Sequence, residues 1–320
     1  MADITGLVLP FFGLILIGYV VAKWKQMPAE ALGWLNIFII YVSLPALFFK
    51  LISETPVEQL TRFDFIVADI GTTYMVFGVI FFIGWLGREA TIPEATVQGL
   101  AAAYGNIGYM GPGLALLAFG ERAAVPVALI FCFENMLHFI VAPALIALGG
   151  QEKRPAIFVV RDIVLRIVLH PFIIATAVGF VAAASHFEPP IPVQRLIDYL
   201  AQAAAPCALF AMGVTLALRP LKRIPAEITY IVPAKLILLP TLMYISLSAA
   251  GNFDHVWIQT AVLLAALPTA TNVFVIGQQY DVWQERASAT VLITTLFSVL
   301  TVSTLLYLMR SGMLPGDLFP

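Results

Sequence analysis

Long apolar runs are the feature of this sequence that most constrains its fold. The chain repeatedly continues for about 20 residues with hardly a charge, which is the length that a helix needs to cross the hydrocarbon core of a membrane. Only 11% of the residues are charged, whereas soluble domains carry about 25%. The sequence therefore predicts an all-α polytopic membrane protein with very little chain outside the bilayer.

Hydropathy and the positions of glycine, proline and charged residues predict ten transmembrane helices. They are predicted at 5–23, 31–53, 64–86, 95–119, 123–148, 161–184, 193–217, 226–249, 256–280 and 284–309. The connections are short, and the longest is a central cytoplasmic loop at 149–160. No basic segment precedes the first apolar stretch and no small-residue cleavage site follows it. We therefore expect a first spanning helix there and not a signal peptide.

Lysine and arginine are unevenly distributed between the two predicted sides of the membrane. Ten lie beside the loops that follow odd-numbered helices, and five lie on the opposite side. Positively charged residues favour the cytoplasmic side. This distribution predicts a multi-pass protein of the bacterial cytoplasmic (inner) membrane whose N- and C-termini both lie outside, in the periplasm.

Charge and cysteine usage exclude several function classes. The net charge of −2 and the lack of a basic stripe argue against a nucleic-acid partner. Cys132 and Cys207 lie in apolar runs without CxxC spacing, which argues against a disulfide framework or a zinc site. Neither a GxSxG nor an HExxH motif occurs. We therefore expect no enzyme activity, no metal site and no cofactor.

Two proline motifs recur at one fixed offset. The Pro-Phe pair at Pro10 returns at Pro171, and the Pro-Ala-Leu-Phe segment at Pro45 returns in similar form at Pro206, in both cases 161 residues later. Coincidence among 21 prolines is the alternative explanation. The same offset, however, also brings the third and fifth predicted helices onto the eighth and tenth. We interpret this pattern as two repeats of five helices each.

The odd number of helices in each repeat determines their relative orientation. The second repeat (161–320) must enter the membrane from the face opposite to the first (1–148), so the two are inverted. Inverted repeats are typical of secondary transporters, which alternate between outward-open and inward-open states. The pattern therefore favours transport as the function.

Two of the predicted helices contain clusters of residues that interrupt a helix. Four glycines and a proline fall within 104–113, and a proline with three hydrogen-bonding side chains falls within 266–272. Unwound backbone inside a membrane must face protein or a wet cavity, and the half-helix ends there bind ions or polar solutes. We predict a substrate site from Gly105, Asn106, Gly108, Pro112, Pro268, Thr269, Thr271 and Asn272. The alternative is a pair of proline-kinked packing helices.

Four ionisable residues lie deep in predicted helices, where they are costly and usually face a cavity. They are Asp69, Glu134, His138 and Lys235. We predict roles for them in coupling or in neutralising a buried charge. Glu134 and His138 share a helix face and could carry a proton, and a mutually satisfied polar contact is the alternative. For Lys235 the alternatives are a salt bridge to Asp69 or Glu134 and a side chain that extends to the membrane surface.

Short motifs along the whole chain carry a family resemblance. They are Leu9-Pro10-Phe11 with Gly18-Tyr19, Val42 to Leu47, the break at 105–113, Pro206 to Gly213, and Ala266-Leu267-Pro268 to Tyr280. With these motifs in this order, the sequence resembles the auxin efflux carrier family, whose bacterial members are permeases related to plant auxin carriers and to malonate and malate permeases.

The resemblance implies that the helices form two domains, a scaffold and a moving transport domain. Helices 1, 2, 6 and 7 would form a scaffold that often makes a dimer interface, and helices 3–5 and 8–10 would move against it as an elevator. The broken helices 4 and 9 would cross at Pro112 and Pro268, with the substrate beside the crossing. Asn106 matches the asparagine that the family places near the first break.

Two positions depart from the family pattern. Asp69 resembles an acidic residue of the plant carriers, but Thr73 stands where those carriers have a lysine one turn later. This departure argues against a plant-like charge arrangement and against auxin as the substrate. His170 stands where many relatives have asparagine.

These observations together predict a secondary active transporter for a small organic anion, a carboxylate, with an elevator-type alternating-access mechanism. Its expected partners are the anion, membrane lipid and a second copy bound through the scaffold helices. A sodium-coupled symporter of the bile-acid-transporter type and, less favoured, a channel are the alternatives. Coupling to protons, to sodium or to the membrane potential alone are equal alternatives at this stage.

Overall fold

The regular structure of the described chain is helical, apart from one isolated β-bridge. The computed structural model describes residues 2–26, 28, 31–149, 161, 164–165, 168–218, 224–251 and 253–319. Six of its helical segments are long and apolar enough to cross a membrane: Leu32–Ser53, Val57–Gly87, Glu121–Leu148, Ile191–Leu218, Ile228–Ala250 and Gln284–Arg310. The all-α, multi-pass character is thereby confirmed. The count of ten spans and the inverted repeat stay predictions.

The helices follow the predicted apolar runs closely. In the first half they are α1 (Ala2–Lys25), α2 (Ala31–Phe38), α3 (Leu44–Ser53), α4 (Val57–Leu60), α5 (Phe63–Gly87), α6 (Ile92–Ala103), α7 (Gly111–Phe119) and α8 (Ala124–Leu148). In the second half they are α9 (Pro171–Ala184), α10 (Ile191–Leu218), α11 (Ile228–Pro233), α12 (Leu239–Ala250), α13 (His255–Ala265), α14 (Thr271–Gln279) and α15 (Gln284–Arg310). The predicted central loop at 149–160 lies outside the described residues, apart from Gly149.

Two π-helical segments, Ile39–Ser43 and Ala234–Leu238, lie inside these apolar runs. Each is followed by a Leu-Pro pair, in which the proline ring would clash with the carbonyl of the residue four positions earlier. A wider turn just before the proline relieves that clash. The signature bond of the second segment joins the Leu239 N–H to the Ala234 carbonyl, five residues back. Such turns are rare and often lie at functional sites.

Two compact units divide the chain. The first unit comprises Met1–Arg62, Gly108–Cys132 and Arg166–Pro220. It contains α1 to α4, α7, the start of α8, α9 and α10. The second unit comprises Phe63–Ile107, Phe133–Leu165 and Leu221–Pro320, and it contains α5, α6, the rest of α8 and α11 to α15. The assignment of predicted helices to a scaffold and a moving domain stays a prediction.

In the first unit, α1 packs along α10 at a very short separation. A Cβ atom on Gly213 would overlap the Ile15 carbonyl, and one on Gly18 would overlap the Phe210 carbonyl. Small residues at such crossings let two helices in a membrane approach closely, where dispersion forces replace the missing hydrophobic effect. These two glycines therefore set the distance between α1 and α10.

In the second unit, α5 packs against α6 and α12, and α12 packs against α13. α6 begins with a capping box, in which the Thr91 hydroxyl accepts from the Glu94 N–H and the Glu94 carboxylate accepts from the Thr91 N–H. Asp254 caps the start of α13, and its carboxylate accepts from the Val256 N–H over 2.8 Å. These caps fix where the two interrupted runs start.

Candidate functional site

Both helices predicted to break are interrupted in the structure. α6 ends at Ala103 because Tyr104 adopts an extended conformation, and the chain becomes helical again only at Gly111. α13 ends at Ala265, and α14 begins at Thr271. Pro268 lies in this second gap, where its ring would clash with the carbonyl four residues earlier if the helix continued.

The two gaps cross within the second unit through backbone hydrogen bonds. Gly105 and Thr269 form the isolated antiparallel bridge. The Asn106 N–H donates to the Pro268 carbonyl over 2.7 Å, and the Ala270 N–H donates to the Tyr104 carbonyl over 2.9 Å. The unwound backbone groups thus satisfy each other in part, as burial away from water requires.

The crossing point differs in one respect from the prediction. Pro268 lies in it, but its partner is the segment around Gly105 and Asn106. Pro112 is the second residue of α7 and belongs to the first unit, as does Gly108, whose α-carbon faces the Phe131 ring. Proline is favoured at the start of a helix because its missing N–H would have no partner there. This explains why Pro112 begins a helix and does not mark the bridge.

Two threonines of the crossing differ in how their hydroxyls are used. Thr269 is fully buried, and its hydroxyl donates to the Ala101 carbonyl over 2.7 Å, while its N–H donates to the Thr294 hydroxyl. Its side chain therefore joins the break to α6, and its backbone N–H joins the break to α15. The Thr271 hydroxyl, at the start of α14, is buried and has no hydrogen-bond partner in the described part of the chain. A buried hydroxyl of this kind calls for a ligand or a water molecule.

Three side chains next to the crossing form a hydrogen-bonded chain, which we call the Asn272–Tyr104–Asn135 chain. The Asn272 amide donates to the Tyr104 hydroxyl over 2.7 Å, and that hydroxyl donates to the Asn135 side-chain oxygen. The Tyr104 ring lies 4.2 Å from the His138 ring, centroid to centroid. Asn106, also buried, is the neighbour of Gly105 in the bridge. The second unit thus joins the predicted Asn272 to Tyr104 and, through it, to Asn135, and it places Asn106 in the neighbouring backbone bridge.

The predicted acidic residues lie in the same unit. Glu134 is 4% exposed and accepts a hydrogen bond of 2.7 Å from the Thr73 hydroxyl. Asp69, one turn before Thr73 on α5, is 2% exposed, and its Oδ1 has no hydrogen-bond partner. The threonine that departs from the plant pattern is therefore a direct partner of Glu134.

Glu134 and His138 share a face of α8 but do not contact each other as a pair. His138 Nδ1 lies 3.1 Å from the Tyr74 hydroxyl, and its Nε2 is buried without a partner. The Glu134 carboxylate instead accepts a hydrogen bond from Thr73, the neighbour of Tyr74 on α5. Each side chain thus has a hydroxyl partner on α5, as a polar contact within the bundle predicts, and the proposed proton role stays a prediction.

Lys235 lies in the π-helical segment Ala234–Leu238 and is fully buried. Its ammonium donates to the Ala265 carbonyl over 2.5 Å. No carboxylate oxygen of a described residue lies within 4.0 Å of it, so the salt bridge to Asp69 or Glu134 is not formed. Full burial also excludes the side chain that extends to the membrane surface.

Four residues of this arrangement were missed by the sequence reasoning as binding or partner groups: Thr73, Tyr74, Tyr104 and Asn135. Tyr104 stands directly before the first break, and Asn135 directly after Glu134. Their position in the sequence, beside a predicted site residue, was the signal that could have identified these two polar residues. Within the described part of the chain, no three His, Cys, Asp or Glu side chains cluster in a way that could hold a metal ion. The arrangement offers amides, hydroxyls and a cation, which can bind an anion or a polar solute.

The chain is similar to known membrane transport proteins along nearly its whole length. The family model described as "Membrane transport protein" matches residues 3–136 and 137–306. The "Putative malonate transporter" of Rhizobium meliloti is 71% identical over 321 aligned positions that cover 100% of both chains. The "Uncharacterized transporter YfdV" of Escherichia coli is 25% identical over 95% of this chain and 97% of its own length. An "Uncharacterized transporter" of Methanothermobacter thermautotrophicus is 24% identical over 93% and 96%.

These relatives are named as transporters, which agrees with the argument against an enzyme. The six helical segments that are long and apolar enough to cross a membrane agree with a multi-pass transporter. The family match covers nearly the whole chain, so the chain belongs to the membrane transport protein family, the auxin efflux carrier family that its motifs resemble.

Proposed function

We propose that the protein is a secondary active transporter that carries a small organic anion of the malonate type across the bacterial cytoplasmic membrane. The observation that carries this proposal is the crossing of two interrupted helices at Gly105 and Thr269, with buried amides and hydroxyls around it. Interrupted helices that meet at depth in a membrane are the usual binding sites of secondary transporters. The name of the Rhizobium meliloti relative, which is 71% identical, supports malonate as the first substrate to test.

The start of α14 is the best candidate for the part that meets the anion. Its first N–H groups have no partner within the helix and carry partial positive charge. The unpartnered Thr271 hydroxyl and the Asn272 amide lie in this first turn. Asn106 lies across the backbone bridge and adds a second amide. Together these groups offer several donors to a carboxylate, as an anion at a helix N-terminus requires.

The mechanism that we propose is of the elevator type, in two inverted repeats of five helices each. Helices 1, 2, 6 and 7 would form the scaffold and the homodimer interface, and helices 3–5 and 8–10 would carry the substrate. Both termini would lie in the periplasm. Asp69, Glu134 and His138 are the candidates for coupling because all three are buried in the unit that holds the crossing.

Isotope uptake into proteoliposomes tests the proposal, because it also detects electroneutral transport. Labelled malonate is offered with malate, lactate and indole-acetate as competitors. We expect saturable malonate uptake that malate reduces most. Folded protein that takes up none of the four anions would refute an organic-anion transporter. Currents far above the turnover of a carrier would favour a channel instead.

Two substitutions of Asn272 distinguish an anion site from a merely polar one. Asn272→Ala removes one donor and should raise the KM for malonate about tenfold. Asn272→Asp keeps the size but adds a negative charge, so it should weaken malonate uptake further. Gln279→Ala, at the exposed far end of α14, is the matched control and should change nothing. If Asn272→Ala weakened malonate uptake more than Asn272→Asp did, an anionic substrate would be contradicted.

A further inference from the structure

A lysine side chain supplies a positive charge beside the crossing of the two interrupted helices. Lys235 donates from its ammonium to the carbonyl of Ala265, the last residue of α13. A Cβ atom on Gly105 would lie 3.3 Å from the Lys235 Nζ and 3.2 Å from the Leu264 carbonyl oxygen. The ammonium therefore lies between the carbonyl end of α13 and the backbone of the first break.

The backbone is what stabilises this buried charge. The last carbonyls of a helix have no partner within the helix and carry partial negative charge, which attracts a cation. The charge of Glu134 is near enough to act on Lys235, but the two groups lie beyond ion-pair distance. Glu134 Oε1 instead accepts a hydrogen bond from the Thr73 hydroxyl. The hydrogen-bond partner of the ammonium is thus a carbonyl oxygen at a helix end, Ala265 O, which is also the kind of oxygen that binds an alkali cation.

The local helix geometry directs the lysine to this place. Lys235 is the second residue of the π-helical segment that precedes Pro240. The extra residue in that turn rotates the side chains after it relative to an α-helix. Segment Ala234–Leu238 also contacts α6 and α15, so the lysine is held from several sides.

We propose that the Lys235 ammonium occupies a monovalent-cation site at the carbonyl end of α13, so that the protein needs no sodium ion there. In transporters with broken helices, unwound carbonyls and half-helix C-terminal ends coordinate sodium. Here a tethered ammonium is bonded to one such carbonyl, that of Ala265 at the end of α13. The consequence for coupling rests on the proposed function, but the occupancy of the site does not. Removal of the ammonium should expose a site that binds sodium.

Thermal unfolding of purified protein in sodium chloride and in choline chloride of equal ionic strength tests the inference without any substrate. The wild type should unfold at the same temperature in both salts. Lys235→Ala should be less stable in choline and should recover in sodium, by about 3 °C for a tenfold excess of sodium over its Kd. Sodium-22 binding should be absent from the wild type and present in Lys235→Ala.

Two further variants separate cation binding from packing. Lys235→Met keeps the side-chain volume without the charge and leaves no room for an ion, so it should lose stability and gain no response to sodium. Lys50→Ala removes a lysine that pairs with Asp198 over 2.7 Å in the first unit, and it too should show no sodium response. A folded Lys235→Ala variant that ignores sodium would overturn the proposal.

The wild type alone also decides the question if the variants do not fold. Sodium-22 binding at the crossing, or a specific stabilisation by sodium over choline, would overturn the inference. Malonate uptake of equal rate in sodium-free and sodium-containing buffer would support it, and uptake that requires sodium would overturn it. Absence of malonate uptake in both buffers would refute the proposed substrate, while the unfolding and binding measurements would still decide the cation site.

Discussion

Replacing Tyr104 by phenylalanine tests the Asn272–Tyr104–Asn135 chain with the smallest change of shape. The variant keeps the ring beside His138 and removes only the hydroxyl. That hydroxyl accepts from Asn272 and donates to Asn135, so two hydrogen bonds are lost at once. Because Tyr104 is 1% exposed, water cannot readily replace the hydroxyl as a partner.

The expected loss of stability follows because the Tyr104 hydroxyl is removed while its two partners, Asn272 and Asn135, remain. Loss of the partner of the buried Asn135 costs about 1–3 kcal/mol, and loss at the half-buried Asn272 costs about 1 kcal/mol because water can reach it, so we expect a decrease of about 2–4 kcal/mol in the free energy of unfolding. The apparent Tm should fall by about 5 °C or more. If Asn272 binds the substrate, the loss of its fixed orientation should also raise the KM for malonate about three- to tenfold.

Tyr244→Phe is the matched control for this experiment. Its hydroxyl donates to the Pro315 carbonyl over 2.6 Å, in the same unit but outside the crossing. That carbonyl keeps access to other partners near the end of the chain, so the control should lose about 1 kcal/mol or less. A Tyr104→Phe variant as stable as Tyr244→Phe would refute the idea that this hydroxyl joins the Asn272 and Asn135 amides.

Three further substitutions probe separate parts of the structure. Asn106→Ala should weaken malonate uptake about tenfold without unfolding the protein, and unchanged affinity would remove Asn106 from the site. Gly213→Ala should destabilise the protein by about 2 kcal/mol or more because the new Cβ overlaps the Ile15 carbonyl, whereas Gly33→Ala, with nothing within 4 Å, should be neutral or slightly stabilising in thermal unfolding. Thr91→Ala should cost about 1 kcal/mol through loss of the capping box at α6, and an unchanged Tm would contradict that role.

The positions of most helices could be read from the sequence because an apolar run and its charged ends are local signals. The helix predicted at 64–86 is observed at Phe63–Gly87, and the one predicted at 193–217 at Ile191–Leu218. The breaks were predictable for the same reason, since glycine and proline act on the backbone within one turn.

The partners of the site residues could not be predicted in this way. Asn272 and Tyr104 are 168 residues apart, and only the folded chain brings them together. A salt bridge from Lys235 to a carboxylate was one of the alternatives, because charge is visible in a sequence. Its actual partner is the Ala265 carbonyl. A backbone acceptor leaves no trace in the residue type, so a charge stabilised by a helix end escapes any argument from side chains alone.

The separation of Lys235 from the two buried carboxylates has a consequence for coupling. A carboxylate in a buried salt bridge is held in its charged form, because loss of that charge leaves the cation uncompensated. The Lys235 ammonium is hydrogen-bonded at the end of α13, and Asp69 Oδ1 has no hydrogen-bond partner among the described residues. Asp69 and Glu134 are therefore not bound to one charge state by an ion pair. Under the proposed function, we expect the neutral variant Asp69→Asn to abolish any dependence of malonate uptake on a proton gradient while substrate exchange continues. Gradient-driven uptake that survives in both Asp69→Asn and Glu134→Gln would show that neither carboxylate couples transport to protons.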